Sequence, residues 1–259
     1  MLNIRKEYDI MITYGDLHIP LNDVEKCNIL LQIIEDIQPD IIVDGGDLIN
    51  ATCISTYDKS LDQMAGLEQE LIDAQEWLRK VNKAAPKATK VLLKDNHLFK
   101  RLYNKMKKEQ WLSDLSAIMP ENLLKLNQLG WTAENSWKWK NALMLTHGDD
   151  GFGSSVSPVN TVRKISASSG LSIVRFHSHN YGSEIHNRNG KLAYAIQLGT
   201  LHDKDKVDYI KHPELSNWSP VIGVFYLSKK DNDFHFIPLV FVDNKVVFNN
   251  KIYTSKRGK

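Results

Sequence analysis

Three times in its first hundred residues the chain runs an apolar, strand-length stretch directly into a short polar turn. Tyr8 to Tyr14 ends at Gly15-Asp16-Leu17-His18, Asp40 to Val43 at Gly45-Gly46-Asp47, and Lys90 to Leu93 at Asp95-Asn96-His97. Between the strands lie apolar residues at helical spacing. Val24, Cys27, Leu30, Ile34 and Ile37 mark a helix over Asn22 to Ile37, and Leu61, Met64, Leu67, Leu71, Ala74, Leu78 and Val81 mark a second over Ser60 to Ala84. A period of 3.6 with an apolar stripe is the signature of an amphipathic helix, and Pro39 and Pro86 supply the stops. Strands alternating with helices call for a parallel βαβ core.

The later half shifts toward β. Leu143 to Thr146 and Ser172 to Phe176 read as short strands, followed at once by His147-Gly148 and His177-Ser178-His179. Leu192 to Leu198, Val221 to Leu227, Phe234 to Val242 and Lys245 to Phe248 continue the pattern, with Asp243-Asn244 as a hairpin turn. The expected class is α/β, one domain over residues 1–259 with a frayed tail at 255–259.

Composition narrows the function classes. Among 259 residues, 42% are hydrophobic and 25% charged, with a formal net charge of +2. Such a chain can bury a substantial core, and no global field demands a nucleic-acid or membrane partner. No apolar run reaches membrane-spanning length, and the start MLNIRKEYDI lacks a secretory pattern. The two cysteines, Cys27 and Cys53, form neither a redox nor a metal spacing, which fits a reducing, cytoplasmic setting. Cys27 falls on a helical apolar face and reads as a buried thiol.

Five polar clusters thus share one placement just beyond a strand end: Asp16-Leu17-His18, Gly46-Asp47-Leu48-Ile49-Asn50, Asn96-His97, His147-Gly148 and His177-Ser178-His179. In open α/β sheets the crevice past the strand carboxyl ends is where sites assemble. Carboxylate, amide oxygen and imidazole suit manganese, iron or zinc better than a thiolate-preferring ion. Asp16 and His18 stand two apart, so on an extended segment both side chains face one way, and His177 and His179 repeat that spacing. A short cluster alone recurs by accident; five in order at strand ends are another matter. His186, His202, His212 and His235 show no such pattern and default to core or surface.

The order Asp-x-His, Gly-Asp-x-x-Asn, Asn-His, His-Gly and His-x-His resembles the calcineurin-like metallophosphoesterases, most closely the single-domain bacteriophage and bacterial type. The likeness extends to Ala195 to Ser219, with Gly199 and Asn217-Trp218. It implies a β-sandwich of two mixed sheets flanked by helices, and two divalent ions, manganese first, with iron, zinc or nickel as alternatives. Asp16, His18 and His179 would hold the first ion, Asp47 would bridge both, and Asn96, His147 and His177 would hold the second. His97 would face the substrate phosphate, and a hydroxide bridging the two ions would attack it. Asn50 would orient a ligand or touch phosphate. The implied activity is phosphodiester hydrolysis on DNA or a nucleotide, in host cytoplasm if phage-encoded, with no membrane or obligate protein partner. Runner-up readings are a small-molecule phosphomonoesterase and a metal-binding accessory protein with weakened catalysis.

The chain departs from the family pattern at three positions. Asp95 and Phe176 stand where glycine is usual, and Leu98 replaces the acid that orients the catalytic histidine. Asp95 is expected to point elsewhere, and Phe176 to narrow the pocket or stack on a base. Asn50-Ala51-Thr52 replaces the Asp-Arg-Gly of protein phosphatases. Lys100, Arg101, Lys105, Lys107 and Lys108 form a basic stretch, read either as a solvated helix face or as a phosphate-contacting rim with Arg101 nearest. Trp111, Trp131, Trp137 and Trp139 are expected mostly in core or lid packing, and Gly151 to Ser157 as a loop over the site.

Overall fold

The computed structural model describes residues 4–55, 66–149, 158–188, 190–207 and 216–255. Its strands are β1 (Tyr8–Tyr14), β2 (Ile41–Asp44), β3 (Thr89–Leu93), β4 (Trp131–Glu134), β5 (Ser136–Trp139), β6 (Leu143–Thr146), β7 (Ser172–Arg175), β8 (Gly182–Arg188), β9 (Lys191–Gln197), β10 (Val221–Ser228), β11 (Phe234–Val240), β12 (Lys245–Phe248) and β13 (Lys251–Thr254). One sheet has the order β11-β10-β1-β2-β3-β4, and a second β5-β6-β7-β9-β8. β1 to β4 run parallel, with β10 and β11 added antiparallel. β6, β7 and β9 are parallel, with β5 and β8 antiparallel at the edges. The fold is α/β with two mixed sheets flanked by helices.

Strand alternation sorts the core into layers. From β1, Ile10, Ile12 and Tyr14 enter the cluster shared with the helices Val24–Ile37 and Leu67–Ala84. Met11 points the other way, with Val43, Val91 and Leu93, to meet Leu143, Leu145, Val174 and Ile196 of the second sheet. A strand buried on both faces reads as a continuous apolar run, because successive side chains serve opposite layers. The helix Pro158–Ser169 covers the second sheet's far side through Val162 and Ile165 against Ile173 and Ala195. Asp23 caps the first long helix by accepting from Lys26 N–H at 3.0 Å. Gln38 ends it in the left-handed region, where a C-terminal cap turns the chain.

The expected strands and helices form, with ends shifted by a residue or two. The second helix is described from Leu67; its expected first turns, the loop Gly151 to Ser157 and His212 lie outside the described residues. Asp243 and Asn244 both adopt positive φ, 47° and 54°, the conformation a two-residue hairpin needs. Four strands are additions: β4, β5, β8 and β13. Trp131 and Trp139 are buried, whereas Trp111 is 64% exposed. Among the described residues no helix is long and apolar enough to cross a membrane.

Gly199 shows how closely the segment after β9 is laid down. A Cβ there would sit 1.8 Å from the Ser219 carbonyl oxygen, while Thr200 N–H donates to that same oxygen at 3.0 Å and Ser219 N–H to the His179 carbonyl at 2.9 Å. Backbone cannot yield as a side chain can. Gly199→Ala should therefore lower unfolding free energy by about 3 kcal/mol or more, read from urea midpoints. Gly66→Ala, whose Cβ meets nothing within 4 Å, should stay within about 1 kcal/mol of the parent; equal losses in both would refute the close approach.

Candidate metal centre

The loops after β1 and β2 continue the pairing of their strands past the strand ends. Asp16 N–H donates to the Gly46 carbonyl at 2.9 Å, His18 N–H to Asp47 at 2.8 Å and Ile19 N–H to Leu48 at 3.0 Å. This backbone ladder sets Asp16, His18 and Asp47 side by side. The extended geometry expected for Asp16 and His18 is corrected: both have positive φ, 53° and 50°. Asp47 (49°), His177 (74°) and His179 (62°) share it. Left-handed backbone costs a residue with a Cβ about 1–2 kcal/mol, so five strained positions in one centre point to a function. The twist also separates the two histidines of the fifth cluster, sending His177 and His179 to different groups.

One group comprises Asp16, His18, Asp47 and His179, with a ligand atom of each within 4.8 Å of the others. His18 Nε2 lies 3.0 Å from His179 Nε2 and 3.6 Å from Asp47 Oδ2, and His179 Nε2 lies 3.5 Å from Asp16 Oδ1. Asp16 is held from behind, both its oxygens accepting from His177 N–H at 3.1 Å. The second group is Asp47, His147 and His177. His147 Nε2 is 3.4 Å from Asp47 Oδ2 and 2.9 Å from Asn96 Oδ1. Asp47 belongs to both groups.

The tautomers follow from the fixed acceptors. A carbonyl oxygen can only accept, so His147 Nδ1 donates to Gly45 at 2.8 Å, leaving Nε2 to face Asn96 Oδ1 and Asp47. Burial lowers the His147 imidazole, but the Asp47 carboxylate outweighs it and lifts the ring to about 10. Burial likewise raises Asp47, yet His147, His97 and the hydrogen bonds from His147 and His177 hold its carboxyl well below the ordinary range. The proton on His147 and a cation therefore compete for one place. His18 Nε2 against His179 Nε2 is a second such place, where two imidazole lone pairs need a proton or an ion between them. Asp47 Oδ1 is buried without a hydrogen-bond partner. These groups fit divalent cations in their donor chemistry.

Asp95, in the glycine position, is a helix cap. Its Oδ1 accepts from Leu98 N–H at 2.8 Å at the start of a π-helical turn, Asn96–Lys100, and its Oδ2 from Asp47 N–H at 3.0 Å. Burial and the nearby Asp47 push its carboxyl to about 7. His97 is oriented by a carbonyl instead of an acid: Nδ1 donates to Asn50 O at 2.8 Å, and Nε2 lies 3.8 Å from Asp47 Oδ2. Arg101 donates to the same carbonyl at 2.7 Å. The Asn50 side chain donates to Thr52 Oγ1 at 2.6 Å. Phe176 does not narrow a pocket. It is buried in the core between the sheets, filling the space a Gly45 Cβ would need at 2.3 Å.

His202, set aside on sequence, is the residue that reasoning missed. Its ring stacks on His18 with centroids 4.5 Å apart. Trp218 joins it, 4.3 Å from the His179 ring and 5.0 Å from His202. The sequence signals nearby were Gly199 and the Asn217-Trp218 pair, neither of which marks an imidazole.

No family model and no curated protein matches the chain. Several solved structures resemble it over most of its length. Vacuolar protein sorting 29 from Cryptosporidium parvum is 13% identical, with 95% of each chain covered and a TM-score of 0.48. The zinc complex of the Entamoeba histolytica protein of that name is 12% identical, covering 90% of this chain and 99% of that one, with a TM-score of 0.42. A phosphatase from Mycoplasma pneumoniae is 11% identical, covering 93% and 95%, with a TM-score of 0.38. Likeness at this distance leaves the chemistry to be argued from the side chains.

One supporting carboxyl gives a pH test. Glu70 is buried and accepts from Ala51 N–H at 2.5 Å, beside the Asn50 carbonyl. Burial lifts it to about 7, only partly offset by the Ala51 and Thr52 backbone bonds. A raised acid stabilises the fold below its ordinary value of 4.5 and loses that contribution as pH rises through 7. In EDTA, the parent should lose about 1–3 kcal/mol relative to Glu70→Gln between pH 5 and pH 8. Parallel pH profiles for the two proteins in urea melts would show that Glu70 does not titrate there.

Proposed function

We propose that this chain is a metal-dependent phosphoesterase acting on phosphodiesters, with DNA or a nucleotide as substrate. The observation that carries the reading is Asp47 Oδ2, which lies within 3.9 Å of nitrogens from His18, His97, His147 and His177. A buried carboxylate shared by two donor groups is the part a pair of ions needs between them. Asp16, His18 and His179 would hold one cation, Asn96, His147 and His177 the other, and Asp47 would reach both. Manganese, iron, zinc and nickel all suit this nitrogen and oxygen set. When bound, such a pair supplies a water of lowered pKa and positive charge against the phosphate oxygens.

The protein's own groups do the rest. Asn50 O accepts a hydrogen bond from His97 Nδ1–H and so fixes the ring, leaving Nε2 turned toward Asp47. Burial lowers the His97 imidazole, with Arg101 and His147 adding to the effect and Asp47 opposing it. Nε2 is therefore a weak base that gains a proton when a phosphate anion lies against it, and can pass that proton to the leaving oxygen. Asn50, through its main chain, positions His97, taking the place of the acid absent at Leu98. That substitution favours an enzyme over a metal-binding accessory protein. Arg101, beside the same loop, lines the approach for a phosphate backbone.

With Mn²⁺, the purified chain should hydrolyse bis-p-nitrophenyl phosphate and linear DNA. His97→Ala should keep both ions and lose about 10²–10⁴-fold in kcat, whereas Asp47→Ala should lose metal along with activity. Cleavage of p-nitrophenyl phosphate alone would replace this reading with a phosphomonoesterase. Two bound ions without hydrolysis of any substrate, under several metals, would end the enzyme reading.

A further inference from the structure

His202 has no part in the scheme above, yet its surroundings are those of a ligand. It follows β9 in a segment fastened to the first metal loop. Thr200 Oγ1 donates to the Asp16 carbonyl at 2.6 Å and accepts from His202 N–H at 2.9 Å. Asp23 N–H donates to the Leu201 carbonyl at 2.8 Å and Asp203 N–H to Leu21 at 2.9 Å, so the backbone on both sides of His202 is paired with the chain just beyond His18. The ring is stacked on His18 at 28° and meets His179 edge-on, with centroids 5.8 Å apart. Trp218 covers another side.

Within this packing, both ring nitrogens of His202 are buried with no hydrogen-bond partner, and so is Nδ1 of His18. A buried polar atom left unsatisfied costs about 1–3 kcal/mol, and three in adjacent stacked rings call for a reason. One ligand atom each from His18, His179 and His202 lies within 4.8 Å of the others. The pair His18 and His179 also belongs to the group with Asp16 and Asp47. His202 therefore offers a cation between those two imidazoles a partner that lies outside the group formed with the carboxylates.

We infer that His202 joins His18 and His179 as a ligand to the first cation, in a three-imidazole position beside the carboxylate group. The inference rests on the metal-centre reading above. Its consequence is selectivity. Imidazole favours zinc, nickel and iron, whereas oxygen ligands favour manganese, so the first position prefers a borderline ion while the second, with Asn96, His147 and His177, keeps a single amide oxygen of its own. Thr200 is the positioning residue: its hydroxyl ties the His202 backbone to the Asp16 loop.

The test compares the full chain with His202→Ala and with His186→Ala, whose imidazole lies outside the cluster. Zn²⁺ and Mn²⁺ affinities are measured by chelator competition, and the coordination sphere by the visible spectrum of the Co²⁺-loaded protein. Unfolding in EDTA confirms that each variant folds; should His202→Ala fail to fold, His202→Gln carries the same comparison. The expected result is two ions bound in every protein. In the His202 variant, Zn²⁺ affinity falls about tenfold or more and Mn²⁺ affinity about threefold or less. The Co²⁺ bands change with it, and added imidazole restores them. Unchanged Zn²⁺ affinity and an unchanged Co²⁺ spectrum would overturn the assignment while leaving the phosphoesterase reading intact. A parent protein that binds both ions but hydrolyses nothing would do the reverse.

Discussion

Burying the Asp47 carboxylate is the constraint around which the structure is arranged. It is 1% exposed, at the junction of the first two strand loops. An isolated charge there would be far too costly, and the group survives ionised only with compensating partners. Four imidazole nitrogens within 3.9 Å of Oδ2 supply that compensation. These partners follow strands of both sheets, so the two sheets must pack face to face with these strand ends together for the charge to be tolerated. The inter-sheet core of Met11, Val43, Leu145 and Val174 holds them in that register.

The same demand explains the strained backbone. Five residues of the centre hold positive φ, a conformation no local preference of aspartate or histidine would select at all five together. Tertiary ties hold them: the β1–β2 loop ladder, the two bonds from His177 N–H to Asp16, and Thr200 on the Asp16 carbonyl. Packing supplies the rest. Gly45 and Gly15 leave the space beneath the loops that Phe176 fills.

Much of this was legible in the sequence. Periodicity placed the strands and the two long helices, and five clusters at strand ends named seven residues that the structure brings into one region. What was not legible shares a physical cause. β8, GSEIHNR, is a polar edge strand without an apolar face to betray it, and β4 and β5 are four residues each. The pleat rule that aligned Asp16 with His18 presumes extended backbone, which the left-handed turns break. His202 could not be found by cluster spacing, because it reaches the centre through backbone pairing with Leu21 and Asp23. Asp95 as a cap follows from the π-helical turn behind it, a feature no local signal announces.

Charge decides what such a centre can hold. Asp44 is pushed toward its neutral form by burial, with its neighbours Asp95 and Asp16 adding to the effect, and Asp95 titrates near 7. The proposed ligand set contains two carboxylates, Asp16 and Asp47, so two divalent ions would leave it with a net formal charge of about +2. Such a charge would favour the anionic phosphate of the proposed substrate. Had the orienting group behind His97 been an acid, a further negative charge would stand close to Asp47, lowering that attraction and making the His97 ring more basic. A carbonyl fixes the ring without adding charge. On the proposed reading, the Asn50 carbonyl would leave His97 a poorer base and a readier proton donor once phosphate is bound, which suits protonating the alkoxide leaving group of a diester better than deprotonating water, a step the metals would already assist.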